Sequence, residues 1–390
     1  MPRLAIAAPG FSQPSETFVH HHVRTLAPGR TVLVCYDGAG AGRFGCPVLS
    51  GLRPTDAAPG PLGRLRARLV PALRRARGFG SILDAGDRRR LAGFLRGQDV
   101  ALVLAEFGGM GAAVMDVCRD LDLPLYVYFR GPDATEASRF PTMRRFYRRL
   151  FRQAAGVLAV SRFIADRVVA LGCPEAKLHV SPSGADSGQF LPSAREPGRI
   201  LGVGRLVPTK APLVTLAAFA RIAPRFPEAR LDLVGDGPLR AEVEAAARAT
   251  GLAGRIRLHG ALPHDACAAL MARAAVFALP SATGPRGATE GFPTAIAEAM
   301  TAGVPVVATR HAGIPEHVVD GVTGRLVAEG DVAAMADALA ALLADPAAAA
   351  ALGDAAARHA ADHLTRARSD RLLRALLDLD ARLGPAAPAP

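Results

Sequence analysis

The feature that most constrains this chain is a repeated punctuation. Short apolar runs at Leu4–Ala8, Thr31–Cys35, Val100–Ala105, Leu125–Phe129 and Val157–Val160 alternate with segments of helical period, and Gly, Pro or a polar residue closes most of them. The pattern continues through Leu231–Val234, Arg255–Leu258, Ala275–Leu279, Val304–Ala308 and Arg325–Val327. Runs that are apolar throughout suit parallel strands covered on both faces by helices, so the fold class is α/β with doubly wound parallel sheets. A chain of 390 residues exceeds what one core covers, and a polar, proline-containing stretch at Pro192–Gly198 divides it. The expected units are a first domain at 1–192, a second at 198–362, a helix at 363–383 crossing back onto the first domain, and a disordered tail at 384–390.

Two loops carry candidate chemistry. After Leu279 a Gly/Thr/Pro loop leads to Glu290, Gly291 and Phe292, and Pro293 then stands where a first helical residue is expected. The helix should therefore start just after Glu290, hold Glu298 in its early turns and stop at Gly303. A helix N-terminus offers free N–H groups and positive charge to a phosphate, and two carboxylates accept hydroxyl hydrogen bonds, so the stretch suits a sugar joined to a phosphate. Either acid alone is also explained as a helix-dipole partner. In the second loop, Ile200–Pro212, a strand runs into Gly204, Arg205 follows, and Lys210 is expected to begin the next helix. Lys177 and Lys210 are the only lysines in a chain that otherwise uses Arg, so a lysine here is a rare choice. The turn Gly235–Pro238, with Gly235 and Gly237, follows a third strand and is explained by turn geometry alone or by a bordering ligand.

Charge is uneven: residues 1–195 carry a net +12 and the remainder none. The helical segment Arg139–Gln153 places Arg144, Arg145, Arg148, Arg149 and Arg152 against a face of Met143, Phe146, Tyr147, Leu150 and Phe151. Arg64–Arg77 repeats that composition, and the two suit either a solvated face or an anionic lipid surface. With no Trp and four Tyr, and no nucleic-acid motif, nucleic-acid binding is not expected. Five scattered cysteines without a C-x-x-C pair argue against zinc and disulfides and fit a reducing cytosol. No apolar run approaches the roughly 20 residues of a membrane span, so the chain is expected to be cytoplasmic, with peripheral contact at the inner face of the plasma membrane through its basic segments.

The E-G-F-P of Glu290–Pro293, with Glu298 eight residues on and E-A-M-x-x-G-x-P-V-V through Val307, resembles the E-x₇-E signature of retaining glycosyltransferases of family 4. Thr309–Val327 and the opening P-G-F-S-Q-P-S-E-T-F, in which Ser15 reads as a helix cap, are similar to the family's bacterial exopolysaccharide and colanic-acid-type members. The resemblance implies the GT-B architecture, two Rossmann-like domains facing across a cleft. It implies that Arg205, Lys210 and Glu290 are catalytic, with Arg205 and Lys210 on the donor diphosphate and Glu290 on the donor sugar. Gly10 and Gly204 would approach the diphosphate, Gly291 and Phe292 the sugar, and Glu298 the ribose. Gly235 and Gly237 would border the nucleotide, and the backbone at His259 would face the base. Where the family commonly has F-H-G-x-D this chain has Phe129–Asp133, so Arg130 replaces a His; an arginine can hold a phosphate or a hydroxyl but cannot act as a base. Asp133 reads equally as a turn acid. Ala211 stands where the family's G-R-L-x-x-x-K-G has its last glycine. The implied reaction moves a sugar from a nucleotide sugar to a saccharide or polyprenyl-diphosphate-linked acceptor with retention, the Arg/Lys pair taking a metal's role, so no metal or other cofactor is expected. The alternatives are a non-catalytic nucleotide-sugar-binding component of a glycan-assembly complex and a GT-B nucleotide-sugar epimerase.

Overall fold

The computed structural model describes residues 1–13, 16–53, 81–252 and 254–384. Ser15, the basic segment 64–77 and the tail from residue 385 lie outside them. Seven strands, β1 (Arg3–Ala8), β2 (Thr31–Cys35), β3 (Val48–Leu49), β4 (Val100–Glu106), β5 (Leu125–Phe129), β6 (Gly156–Ala159) and β7 (Leu178–Val180), form one sheet in the order β3-β2-β1-β4-β5-β6-β7. Six more, β8 (Arg199–Val203), β9 (Arg230–Val234), β10 (Ile256–Gly260), β11 (Val276–Leu279), β12 (Val306–Thr309) and β13 (Gly324–Val327), form a second in the order β10-β9-β8-β11-β12-β13. All the pairings are parallel. Every residue of β2, β5, β6, β11 and β12 is buried, which is why their sequences show no polar face. The edge strands β3 and β7 were not expected; they are two and three residues long and half-buried, too short and too mixed to leave a pattern.

Strand order reverses between β1 and β4 and again between β8 and β11. Such switch points open a crevice at the carboxyl ends of the strands, the general ligand position of open α/β sheets. The loops leaving β8 and β11 carry Arg205, Lys210 and Glu290.

Helix boundaries depart from expectation in three places. The helix after Glu290 spans Thr294–Thr301, with Pro293 extended as its N-cap (φ −66°, ψ 121°) rather than its first residue. Residues 290–292 instead run as a strap against the first domain. After β8 the chain makes a 3₁₀ turn at Pro208–Lys210, Ala211 takes a left-handed conformation (φ 44°, ψ 51°), and the helix starts at Pro212. The final helix is two, Arg366–Leu376 and Leu379–Leu383, broken where Asp378 has φ 52°. Both pack on the first domain: from the first, Asp370 meets His21 at 2.8 Å and Arg374 donates to the Leu26 carbonyl at 2.8 Å, and at the end of the second the Leu383 carbonyl accepts from Arg30. The chain leaves the first domain past Ala185 and returns beside it, with Ala185 N–H donating to Leu364 O (2.8 Å) and Arg366 N–H to Ala185 O (3.0 Å).

The basic helix spans Pro141–Gln153, with Tyr147, Leu150 and Phe151 buried. Arg149 turns inward to Asp116 at 2.6 Å, while Arg144, Arg145, Arg148 and Arg152 stay exposed. All five cysteines are free, and among the described residues no single helix is long and apolar enough to cross a membrane.

Candidate functional site

Lys210 Nζ lies 3.0 Å from Glu290 Oε2, so the loops after β8 and β11 meet in an ion pair. The lysine stem lies over Gly204: a Cβ there would stand 3.4–3.6 Å from Lys210 Cδ, Cγ and Cε. Arg205 is exposed, and its guanidinium makes no ion pair or hydrogen bond among the described residues. Gly235 and Gly237 press on this loop from below. A Cβ on Gly235 (φ 139°) would meet Gly204 O at 1.9 Å, and Leu206 N–H donates to Asp236 O at 2.9 Å, so the 235–238 turn buttresses the Gly204–Leu206 backbone. The His259 imidazole is directed to Asp232 at 2.5 Å, inside the sheet, and its neighbour Gly260 accepts the Gly235 N–H at 2.8 Å. Glu298, 5% exposed, receives His264 Nε2 at 2.9 Å.

The two domains touch at the strap before Thr294. A Cβ on Gly131 would lie 2.6 Å from Thr289 O, and one on Gly291 would lie 2.1 Å from Arg130 O, so both positions require glycine for backbone to reach backbone. Phe292 is buried with its ring 4.7 Å from that of His317. No acceptor for the N–H groups of Gly291 and Phe292 occurs among the described residues. From the first domain Glu316 is reached by Arg162 N–H and Phe163 N–H, both at 2.8 Å, which places a second-domain carboxylate at the N-terminus of a first-domain helix. Gly10 closes β1 at the first sheet's switch point.

Arg130 does not face a ligand through its guanidinium. It is 8% exposed, Nε and an Nη reach Glu106 Oε2 at 3.0 and 2.8 Å, the other Nη reaches Ser183 Oγ at 2.8 Å, and the plane lies 3.7 Å from the centroids of both Phe18 and Tyr128. Where a role on a phosphate or hydroxyl was expected, a buried carboxylate matches the charge of the cation and two rings cover its faces. Asp133 takes the turn role, accepting N–H groups of Gly108, Arg130, Gly131 and Ala134 at 2.9–3.4 Å.

Sequence reasoning missed Glu106, fully buried at the end of β4, which also holds His22 Nδ1 at 2.5 Å. Burial raises its carboxyl pKa, but the charges of Arg130 and His22 and their hydrogen bonds outweigh it and hold the group at about 2. Glu16, next to the expected cap Ser15, is the N-cap residue of the helix Thr17–Thr25. Its carboxyl is raised by burial and then by Glu106, with Arg205 and Arg130 pulling it back, which brings Arg205 of the second domain within electrostatic reach of the first.

Comparison with known proteins follows these two halves. The family model for Glycosyltransferase Family 4 matches residues 16–189, and that for Glycosyl transferases group 1 matches 188–359. The two meet at the linker between the sheets. The chain belongs to the group 1/family 4 glycosyltransferases. It is 32% identical over 245 residues to the amylovoran biosynthesis glycosyltransferase AmsK of Erwinia amylovora, covering 62% of this chain and 60% of that one. To the putative colanic acid biosynthesis glycosyltransferase WcaL of Escherichia coli K12 it is 33% identical over 244 residues, covering 61% and 60%. The match thus spans about three fifths of the length of these relatives. The crystal structure of Anabaena Alr3699/HepE in complex with UDP-glucose superposes with a TM-score of 0.74 at 19% identity, covering 96% of this chain and 99% of that one. That likeness shows the fold, which is GT-B.

In this family member two Asp-Leu-Asp triplets, Asp120–Asp122 and Asp378–Asp380, stand at helix ends rather than in the cleft. Asp120 pairs with Arg119 at 2.7 Å and Asp380 with Arg374. Among the described residues no group of three His, Cys, Asp or Glu is arranged to hold a metal ion.

Proposed function

We propose that the protein transfers a sugar from a nucleotide-sugar donor to a saccharide or lipid-linked saccharide acceptor, with retention at the anomeric carbon, in exopolysaccharide or other cell-surface glycan synthesis. The observation that carries this reading is the Lys210–Glu290 ion pair beside an exposed Arg205, which makes no ion pair among the described residues, at the switch point of the second sheet. As the bond from sugar to diphosphate breaks, positive charge develops on the sugar and negative charge on the leaving phosphate. Arg205 and Lys210 are fixed on the side where the phosphate charge grows, so they favour the transition state over the ground state. Glu290 faces the sugar, and the leaving phosphate takes the acceptor's proton in a same-face displacement that needs no metal in this reading. A relative supports a nucleotide-sugar donor: the GDP-mannose-dependent alpha-(1-6)-phosphatidylinositol monomannoside mannosyltransferase of Mycolicibacterium smegmatis is 35% identical over 217 residues, covering 52% of this chain and 56% of its own length.

The acceptor side belongs to the basic first domain. Arg144, Arg145, Arg148 and Arg152 with the exposed ring of Phe140 suit an anionic membrane surface at the cytoplasmic face, where a polyprenyl-diphosphate-linked acceptor would be met. A second reading, a nucleotide-sugar binder without turnover, is favoured by the commitment of Arg130 to Glu106 where the family commonly has a histidine.

Thermal-shift measurement against a panel of nucleotide sugars and free nucleotides, without metal, tests the reading. One donor should raise Tm selectively, and Glu290→Ala should reduce the rise; no shift from any member overturns it. Turnover of that donor with lipid-linked saccharides separates transferase from binder, and flotation on anionic vesicles that falls with salt tests the membrane contact.

A further inference from the structure

The strap that carries Glu290 is held from behind by residues that none of the foregoing roles uses. His311 is 1% exposed; its Nε2 lies 3.2 Å from the Glu290 backbone nitrogen and its Nδ1 lies 2.5 Å from Glu329 Oε1. A backbone N–H only donates, so Nε2 is the acceptor; Nδ1 then carries the proton and gives it to the carboxylate. Glu329 also takes Thr283 N–H at 2.7 Å and faces the Thr283 hydroxyl at 3.4 Å. Thr283 and Glu290 are the two ends of one loop, and a single His–Glu pair pins both.

The same loop is tied to the lysine. Ala282 N–H donates to Thr209 O at 3.0 Å, one residue before Lys210, and Gly313 N–H donates to Gly291 O at 3.0 Å, one residue after Glu290. The 3.0 Å approach of Lys210 to Glu290 is therefore set by a closed ring of contacts: Thr209 to Ala282, Thr283 to Glu329, Glu329 to His311, and His311 to Glu290. Only the His311 contact ends on the residue that bears the carboxylate.

We propose that His311, oriented by Glu329, is a positioning residue that holds Glu290 against Lys210 and so presets the carboxylate that faces the donor sugar. The proposal rests on the reading of Glu290 and Lys210 as donor-site groups. Freeing the Glu290 N–H lets its peptide unit turn, and a misplacement of about 1 Å at a reacting group can lower a rate by around 100-fold. The diphosphate grip of Arg205 is on a different loop and is untouched, so the loss should appear in turnover and not in nucleotide affinity.

The test compares His311→Ala, His311→Gln and Glu329→Gln in the full chain. Residue-resolved hydrogen exchange, which needs no substrate, should show the Glu290 amide exchanging at least about tenfold faster in His311→Ala, near wild type in His311→Gln, whose carbonyl can accept the same N–H, and in between in Glu329→Gln. With a donor that the wild type turns over, kcat should fall about 10- to 100-fold in His311→Ala, recover largely in His311→Gln, and leave the Kd of UDP or GDP within about twofold. Unchanged protection of the Glu290 amide, unchanged kcat in folded His311→Ala, or parallel loss of kcat and nucleotide affinity overturns the proposal. Should His311→Ala fail to fold, Glu329→Ala, whose residue is a third exposed, takes its place with the same outcomes. A wild type that binds no nucleotide sugar refutes the proposed function, while the exchange experiment still decides the role of His311.

Discussion

Two arginines each follow a strand's carboxyl end, Arg130 just past β5 of the first sheet and Arg205 just past β8 of the second, and they do opposite work. Arg130 is sealed between two rings with its charge matched by Glu106. Arg205 is exposed, with no ion pair or hydrogen bond from its guanidinium among the described residues, next to a lysine whose carboxylate partner is itself partly open to solvent. The first cation maintains a wall of the cleft; the second is available to whatever enters. The chemical identity of a residue at a strand end does not tell which of these it is. The nearest opposite charge, and its distance from water, does.

The sharpest break of this contrast is Glu106→Leu. It strands a buried guanidinium, and removing one partner of a buried pair costs about 3–5 kcal/mol. Urea unfolding should show that loss, with the surviving native protein still binding nucleotide. Lys210→Ala should behave in reverse: kcat falls about 10²–10³-fold, the scale of losing one transition-state charge partner and far more than free-nucleotide binding weakens, while Tm changes little. An unchanged kcat would remove Lys210 from the chemistry.

Acid acts on Glu106 and on His317 in different windows. Glu106 has a folded pKa held at about 2 against an ordinary 4.5, so its contribution is complete above about pH 4.5 and is lost as pH falls toward 2. His317 in the second half is depressed to about 4, by burial first and then by His359 and His363. Unfolded histidine takes a proton near 6.5, so His317 makes stability fall with pH between about 6.5 and 4. His317→Gln should reduce the slope in the upper window, where the depressed His20 and His359 still act, and Glu106→Leu that in the lower, read as unfolding free energy against pH. The smallest effect is expected at Ala211, whose left-handed backbone is unfavourable for an L-residue by roughly 1–2 kcal/mol. Ala211→Gly relieves this against a gain in unfolded-chain entropy and should stabilise by up to about 1 kcal/mol without altering turnover.

The sheets were legible because fully buried parallel strands leave unbroken apolar runs bounded by Gly and Pro, as at Leu125–Phe129. The loops bearing Arg205, Lys210 and Glu290 were legible for the same reason, since they begin where those runs end. The fate of Arg130 was not, because its partner sits 24 residues earlier on a neighbouring strand. A signal did exist: Glu106 is a lone charge closing the apolar run from Val100, and parallel register sets it against Tyr128, two residues before Arg130. His311 and Glu329 were invisible for a different reason. Their partners are a backbone amide and a threonine of a loop whose path no periodicity specifies. The helix expected from Lys210 starts at Pro212, a proline at the first position as local preference favours, whereas at Thr294 Pro293 is the extended cap and not the first helical residue.

Where the outgoing chain at Ala185 and the returning chain at Leu364–Arg366 run side by side, a Cβ on Gly184 would lie 2.2 Å from the Thr365 carbonyl carbon. The two crossings therefore form a flat, hydrogen-bonded ribbon instead of two independent tethers. A ribbon bends easily across its thin direction and resists both shear in its plane and torsion. The outgoing and returning chains are thus coupled backbone to backbone at this point, so neither can shift without the other.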